Sequence, residues 1–288
     1  MTDLVSAALC HNLLLVFDDP TYRPPALPGV ALELMAISGQ PDPDLGEVVA
    51  LLERDAMLAG TVLRLVSSPF YAGRARIRSL REAVVRIGVR GVRDAVFEAA
   101  LRQGVFAMRE YADTAQTVAR HSTVTAYVAK LIARRAHLDA DTAFLGGLLH
   151  DVGYAGLLLA VAHVEGDDAP GLAPMWGDVC SLHPRASRML AERWGLPWEI
   201  AEIAGSHHDS SAASTSRVLA AVRLADHLSE SLGAPVLGPL VGGRPLPSVV
   251  GNVSVDLPSL MRELCIDEVD LAQILEDAER VIGEIVAL

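Results

Sequence analysis

Apolar residues in this chain recur at helical spacing along nearly its whole length. Between Leu45 and Leu65 the run LGEVVALLERDAMLAGTVLRL repeats them at steps of three and four, which puts them on one face of an amphipathic helix. The charged pair Arg54–Asp55 predicts a break between two helices there. The same pattern predicts helices over Ser79–Ile87, Val92–Phe106, Thr117–Ala133, Ala140–His150, His183–Arg193, Pro197–His207, Ser214–Leu232 and Asp267–Leu288. A half-buried strand needs sustained alternation rich in Val, Thr and aromatics. No stretch supplies it, and aromatic residues are only 5% of the chain. The fold class expected is all-α. Boundary signals agree: Asp44 is placed to cap a helix from Leu45, Ser79 with Glu82 fits a capping box, and Pro197 after Gly195 opens a helix. Gly233–Pro258, rich in Gly, Pro, Val and Ser, is the one long non-helical segment, an ordered loop or a short hairpin.

Composition narrows the class. With 288 residues and 51% hydrophobic content the chain can bury its own core, which excludes disorder as its main state. A net charge of −12 and a pI near 5.1 argue against a broad nucleic-acid surface, which needs Lys and Arg to neutralise phosphates. Cys10, Cys180 and Cys265 are far apart and lack CxxC spacing, so neither a disulfide framework nor a cysteine zinc module is expected. The apolar run Ala143–Val164 has the length of a membrane span. It carries His150 and Asp151 at its middle and four glycines, and a central Asp is costly in lipid. A buried helix pair is the better reading, and with no basic region at the N-terminus the expected location is cytoplasmic. The arginine-rich stretch Arg74, Arg76, Arg78, Arg81, Arg86, Arg90 and Arg93 reads first as an ordinary charged helix face; the alternative is a surface that meets a phosphate ligand or an acidic partner.

Histidine divides the chain. Residues 20–110 contain none, whereas 111–230 hold all but His11. The sharpest feature is Leu148-Leu149-His150-Asp151-Val152-Gly153. Neighbouring residues on a helix diverge by about 100°, so this dyad can converge on one ion only near a helix end. His121 at the opening of an earlier helix, His150, Asp151 and the distant Asp226 together offer nitrogen and oxygen ligands to a divalent metal. His183, His207 and His208 add ligands for a second, and two close metals can activate water for attack on a phosphoryl group. The competing reading is a hydrogen-bonded scaffold, because a carboxylate holding an imidazole needs no metal. His137, His163 and His227 read as surface or packing residues.

At these residues the chain resembles the HD-domain superfamily, whose hallmark is His…His-Asp…Asp. Leu27-Pro28, Leu63–Tyr71, Ile77–Gly91, Gly146–Gly153, and Trp194-Gly195-Leu196-Pro197 followed by His207-His208 are similar to the HDOD family, a bacterial regulatory subgroup. The resemblance implies an HDOD domain over 20–230, with an N-terminal helical half (20–110) packed on an HD-like half (111–230). Residues 231–288 are then a loop and a C-terminal helix lying on the body. It also implies one or two divalent ions (Fe, Mn, Zn or Mg) on His121, His150, Asp151, His183, His207, His208 and Asp226. Departures bear on activity. The HD-GYP phosphodiesterases, which the same dyad resembles, follow it with Gly-Lys and carry Gly-Tyr-Pro after the His pair. Here Tyr154 follows Gly153, and Asp209-Ser210-Ser211-Ala212 follows His208, so cyclic di-GMP hydrolysis is not expected.

Three functions fit these observations. The first is bacterial signalling through contact with a protein partner. The second is metal-dependent hydrolysis of a nucleotide or other phosphoester, and the third is nucleotide sensing without turnover.

Overall fold

A computed structural model describes residues 13–66, 79–165, 172–209, 216–241, 243–247 and 256–285. Cys10, His11, Arg74, Arg76, Arg78, the segment 67–71 of the family resemblance and residues 210–212 lie outside the described residues. The first half comprises α1 (Gly29–Ser38), α2 (Leu45–Glu53), α3 (Ala56–Val66) and α4 (Leu80–Ala100). The second comprises α5 (Ala112–Arg135), α6 (Ala140–Leu149), α7 (Gly153–Glu165), α8 (Trp176–Arg193), α9 (Trp198–Ser206) and α10 (Arg217–Ser231). An antiparallel hairpin follows, β1 (Leu237–Val241) and β2 (Arg244–Pro247), pairing Leu237 with Pro247 and Val241 with Arg244. The chain closes with α11 (Leu257–Leu264) and α12 (Glu268–Ile285). Among the described residues the fold is helical, with this hairpin as its only strands.

Local chemistry sets these boundaries. Asp44 caps α2 by accepting from the Gly46 amide at 2.7 Å, and Ser79 caps α4 by accepting from the Glu82 amide at 3.1 Å. The break between α2 and α3 falls at Arg54–Asp55. The expected break between the segments ending at Ile87 and beginning near Val92 falls at Gly88, whose φ of 73° is non-helical and kinks α4. Two elements differ from the periodicity. Helix α5 starts at Ala112, so His121 lies within the helix and not at its opening. Helix α8 starts at Trp176 and runs through Pro184, which periodicity had set at a helix start because proline lacks an N–H.

Two cores result. Helices α1–α4, α7 and α8 bury Leu34, Leu52, Val62, Phe97, Leu157 and Leu190 in one. Helices α5, α10, α11 and α12 bury Val128, Ile132, Leu224, Leu264 and Ile274 in the other. The most apolar 18-residue window of the run Ala140–His163 is 94% buried inside the protein, and the run is divided by the turn after α6. Helix α12 lies on α5, tied by Arg135 to Asp270 at 2.7 Å.

The seam between the halves is charged. Lys130 on α5, the only lysine in the sequence, donates to Asp94 on α4 at 2.6 Å, and Arg93 holds the other Asp94 oxygen at 2.7 Å. One turn on, Tyr127 donates to buried Glu98 at 2.8 Å. A buried charge left without its partner is costly. Replacing Asp94 by Ala strands both Lys130 and Arg93, and should lower unfolding free energy by about 3–5 kcal/mol in urea titrations; Lys130→Met leaves Asp94 with Arg93 and should cost less. The second constraint is close approach. A Cβ on Gly147 would sit 2.9 Å from the Thr125 carbonyl of α5, and one on Gly153 would run into the His183 carbonyl of α8. Gly147→Ala should cost about 1–3 kcal/mol through overpacking, read as a lower thermal midpoint by circular dichroism.

Candidate metal centre

Five helices deliver the polar residues of one buried cluster. His121 comes from the middle of α5, His150 and Asp151 from the turn after α6, and His183 from α8. His207 and His208 come from the end of α9, and Asp226 from α10. All seven candidates from the sequence meet here. His137, His163 and His227 do not; His163, for example, meets Thr21 at 3.3 Å. His150 is the C-cap of α6 and keeps helical φ and ψ (−57° and −38°), and α7 begins at Gly153, so the dyad lies at the junction of two helices with both side chains facing the cluster.

Each central imidazole is oriented by a main-chain carbonyl. The Nδ1 atoms of His121, His150, His183 and His207 lie 2.7, 2.8, 2.6 and 2.9 Å from the carbonyls of Ala234, Gly147, Cys180 and Ala204. A carbonyl only accepts, so each Nδ1 carries a proton and each Nε2 can offer a lone pair. The sequence supplies these acceptors locally. Gly147 and Ala204 lie in the last turns of α6 and α9, where carbonyls have no helical N–H to serve. Cys180 is four residues before Pro184, which has no N–H to give it. The proline in α8 therefore frees the carbonyl that aims His183.

The Nε2 atoms converge on two carboxylates. His121 Nε2 is 3.0 Å from Asp226 Oδ1 and 3.7 Å from Asp151 Oδ2. His150 Nε2 is 3.5 Å from Asp151 Oδ2 and 3.8 Å from Asp226 Oδ1. On the other side, Asp151 Oδ1 is 3.0 Å from His183 Nε2 and 3.4 Å from His207 Nε2, which are themselves 3.0 Å apart. Donor atoms thus fall into two sets, each within 4.8 Å: His121, His150 and Asp151, and Asp151, His183, His207 and His208. Asp151 belongs to both, one oxygen facing each.

Lone pairs aimed at one another or at a carboxylate repel unless a cation lies among them. His150 Nε2 and Asp151 Oδ1 are buried with no hydrogen-bond partner among the described residues, a costly arrangement in an interior. Ligands at right angles on one ion, with bonds of ~2.1 Å, stand about 3 Å apart, which is the spacing here. Electrostatics divide the cluster: burial opposes charge on His150, but the Asp151 and Asp226 carboxylates raise it. Burial works to raise the Asp151 and Asp226 carboxyls, yet the surrounding histidines hold both well below the usual carboxylate range. Burial pushes His207 down to about 4 and, with His207 and His183 beside it, His208 down to about 2. Burial also opposes charge on His121, but the Asp226 and Asp151 carboxylates lift it to about 9. The donor set of imidazole and carboxylate fits a divalent cation.

Periodicity did not reveal the residues behind this first ring. Arg223, one turn before Asp226 on α10, donates to the carbonyls of Ser206 at 2.7 Å and His207 at 3.2 Å, and to that of Asp209. It caps the helix end that presents His207 and His208. Tyr154 stacks on His183, with centroids 4.3 Å apart and planes 15° from parallel, and is backed by Trp176. The i,i+3 spacing of Arg223 to Asp226 is the one signal that could have found either. Access is limited: the side chains of His208 and Asp226 are 24% and 18% exposed, while those of His121, His150, Asp151, His183 and His207 are at most 4% exposed.

Comparison with known proteins places the arrangement. Residues 25–165 match the HDOD domain family and residues 118–231 the HD domain family. An HDOD domain protein of unknown function from Geobacter sulfurreducens superposes with a TM-score of 0.69 at 24% identity, covering 95% of this chain and 98% of that one. A Shewanella amazonensis protein described as a candidate metal-dependent phosphohydrolase gives a TM-score of 0.73 at 19% identity over 96% of this chain and 97% of that one. A candidate signal transduction protein from Marinobacter aquaeolei gives 0.65 at 20% identity, covering 97% of this chain and 65% of that one. In sequence, an uncharacterized protein of Treponema pallidum is 27% identical over 198 residues, or 64% of this chain and only 37% of that relative's length. The structural likenesses establish a shared helical fold, and the family matches establish what the chain carries: an HDOD domain over residues 25–165, overlapped by an HD domain match over residues 118–231.

Proposed function

We propose that the His–Asp cluster is a divalent-metal centre of phosphohydrolase type in a signalling protein. One observation carries this reading: four imidazoles, each with its Nδ1 committed to a carbonyl, aim Nε2 at two carboxylates in a buried space where two donor atoms have no other partner among the described residues. His121, His150, Asp151 and Asp226 would hold one ion, and Asp151, His183, His207 and His208 a second. A donor set this rich in imidazole, without thiolate, favours Mn, Fe or Zn over Mg, which prefers oxygen. A divalent ion held by these residues would supply Lewis acidity, lowering the pKa of a water and stabilising charge on a phosphoryl oxygen. The protein's part is to orient the ligands through the helix-end carbonyls and to exclude bulk water from all but the His208–Asp226 side, where a phosphoester would enter. The description of the Shewanella amazonensis relative as a candidate metal-dependent phosphohydrolase is in keeping with this reading.

A second reading is signalling through a protein partner without turnover. It is favoured by the burial of the centre and by Tyr154, an aromatic packed on His183 where HD-GYP relatives, by the resemblance above, place a lysine. Elemental analysis of the purified protein separates the readings together with a phosphoester panel supplied with Mn²⁺, Fe²⁺ and Mg²⁺. Stoichiometric metal that is lost in His150→Ala and Asp151→Ala, with turnover abolished by His150→Ala, supports hydrolysis. Metal without turnover on any phosphoester moves the function to the second reading, and absence of metal after loading with excess Mn²⁺ or Fe²⁺ removes the metal centre. Asp151→Ala should reduce metal content more than His150→Ala, because it faces both donor sets.

The supporting residues yield a separate test. Arg223→Ala frees the end of α9, and outer partners of metal ligands typically contribute 10–100-fold to affinity. Competition with a chromophoric chelator should show metal binding weakened about tenfold or more in Arg223→Ala, with partial recovery in Arg223→Lys.

A further inference from the structure

A second concavity lies where the two halves meet. The α1–α2 loop, the interruption in α4, and the sides of α5 and α6 line an open cleft of about 830 Å³, which none of the seven cluster residues lines. That is the size of a small-molecule site, for which ~300–1,000 Å³ is usual.

The wall from α4 is built around a backbone that only glycine adopts readily. Gly88 has φ 73° and ψ 168° inside a 21-residue helix. A Cβ there would meet nothing within 4 Å, so the glycine serves the turn of the chain and not tight packing. The turn begins a fresh helical segment at Val89, and Val89, Arg90 and Gly91 all line the cleft. A glycine before the segment brings no side chain to cap it, and the start of a helix favours negative charge.

Cations converge on the same space from separate elements. Arg90 belongs to α4, and Lys130 and Arg134 belong to α5. Lys130 is engaged by Asp94, and the exposed Arg90 reaches Asp141 at 3.1 Å; Asp141 also lines the cleft and stands 3.8 Å from Lys130. Arg134 has no ion-pair partner among the described residues. Across the cleft the α1–α2 loop presents Gln40 and Asp42, both exposed. Guanidinium groups match phosphate oxygens in a bidentate fashion, and a carboxylate accepts from the hydroxyls of a ribose.

We propose that this cleft is a ligand site for a nucleoside phosphate, with the phosphate between Arg90 and Arg134 beside the Val89 helix start and the sugar hydroxyls on Asp42. The site is built on the helices that supply the His–Asp cluster. Lys130 stands nine residues, about 13.5 Å, from His121 along α5, and Asp141 stands nine residues from His150 along α6.

Calorimetric titration of the full-length protein as purified tests this with AMP, GMP, ADP, inorganic pyrophosphate and adenosine, with His150→Ala titrated alongside. One nucleotide per chain should bind, pyrophosphate more weakly, and adenosine not at all. Arg134→Ala and Arg90→Ala should each weaken the nucleotide about tenfold, the scale of one charge-assisted contact. Asp42→Ala should weaken the nucleotides but leave pyrophosphate unchanged. Gln40→Trp, which fills the cleft from an exposed loop, should abolish binding with an unchanged melting temperature, while His150→Ala binds like the parent. Absence of binding by every phosphate-bearing probe at millimolar concentration overturns the proposal. So does binding that survives Arg134→Ala and Gln40→Trp but is lost in His150→Ala, which would place the phosphate at the His–Asp cluster.

Discussion

The cluster depends on hydrogen bonds from imidazole Nδ1 to main-chain carbonyls. They convert backbone geometry, the stiffest feature of a helical protein, into the direction of four side chains. A histidine held only by packing can turn its ring and exchange its two nitrogens. One whose Nδ1 is bound to a carbonyl cannot do so without leaving a buried donor unsatisfied, at about 1–3 kcal/mol. Three of these carbonyls are available because their helix ends or is interrupted at that point: the last turn of α6, the last turn of α9, and Cys180 opposite the missing N–H of Pro184. Helix termini, usually a liability to be capped, become the orienting frame of the site.

Close packing of the same helices sets the rest. Gly147 brings α6 onto the backbone of α5, and Gly153 brings the start of α7 onto α8. Larger residues there would move Asp151 away from the histidines it faces, since the dyad lies between the two glycines. Around this, Arg223 restrains the end of α9 and Tyr154 supports the His183 ring. The charged seam of Lys130, Arg93 and Asp94 joins the histidine-free half to α5. The cluster, the seam and the cleft beyond it therefore share two helices, which gives the first half a physical route to the second.

Much of this was legible in the chain. Apolar spacing identified the helices and the break at Arg54–Asp55, and Asp44 and Ser79 marked their caps. The concentration of histidine after residue 111 drew attention to the half that carries the cluster. Positions that misled did so for identifiable reasons. Pro184 reads as a helix start because proline usually cannot continue one, yet here the lost hydrogen bond is replaced by the His183 side chain. The first turn of α5 was missed because Ala112-Asp113-Thr114-Ala115 has little apolar periodicity; tertiary contact, with Thr114 and Ala115 buried, holds it helical. Lys130 gives no sign in the sequence that it is buried, because its partner Asp94 is distant in the chain.

By itself the sequence determined the helical class, since the apolar period is a local property of neighbouring residues, and it determined which residue types were available for chemistry. It also named the seven polar side chains, through their order along the chain and their likeness to a family pattern. Only the tertiary structure decided that they meet, that Asp151 faces two sets of donors, and that every central imidazole presents Nε2 inward. Those are relations between residues as much as 105 positions apart, as His121 and Asp226 are. They depend on how five helices cross and where each one ends, and side-chain direction across such distances is set by packing and by shared hydrogen-bond acceptors, which no local pattern records.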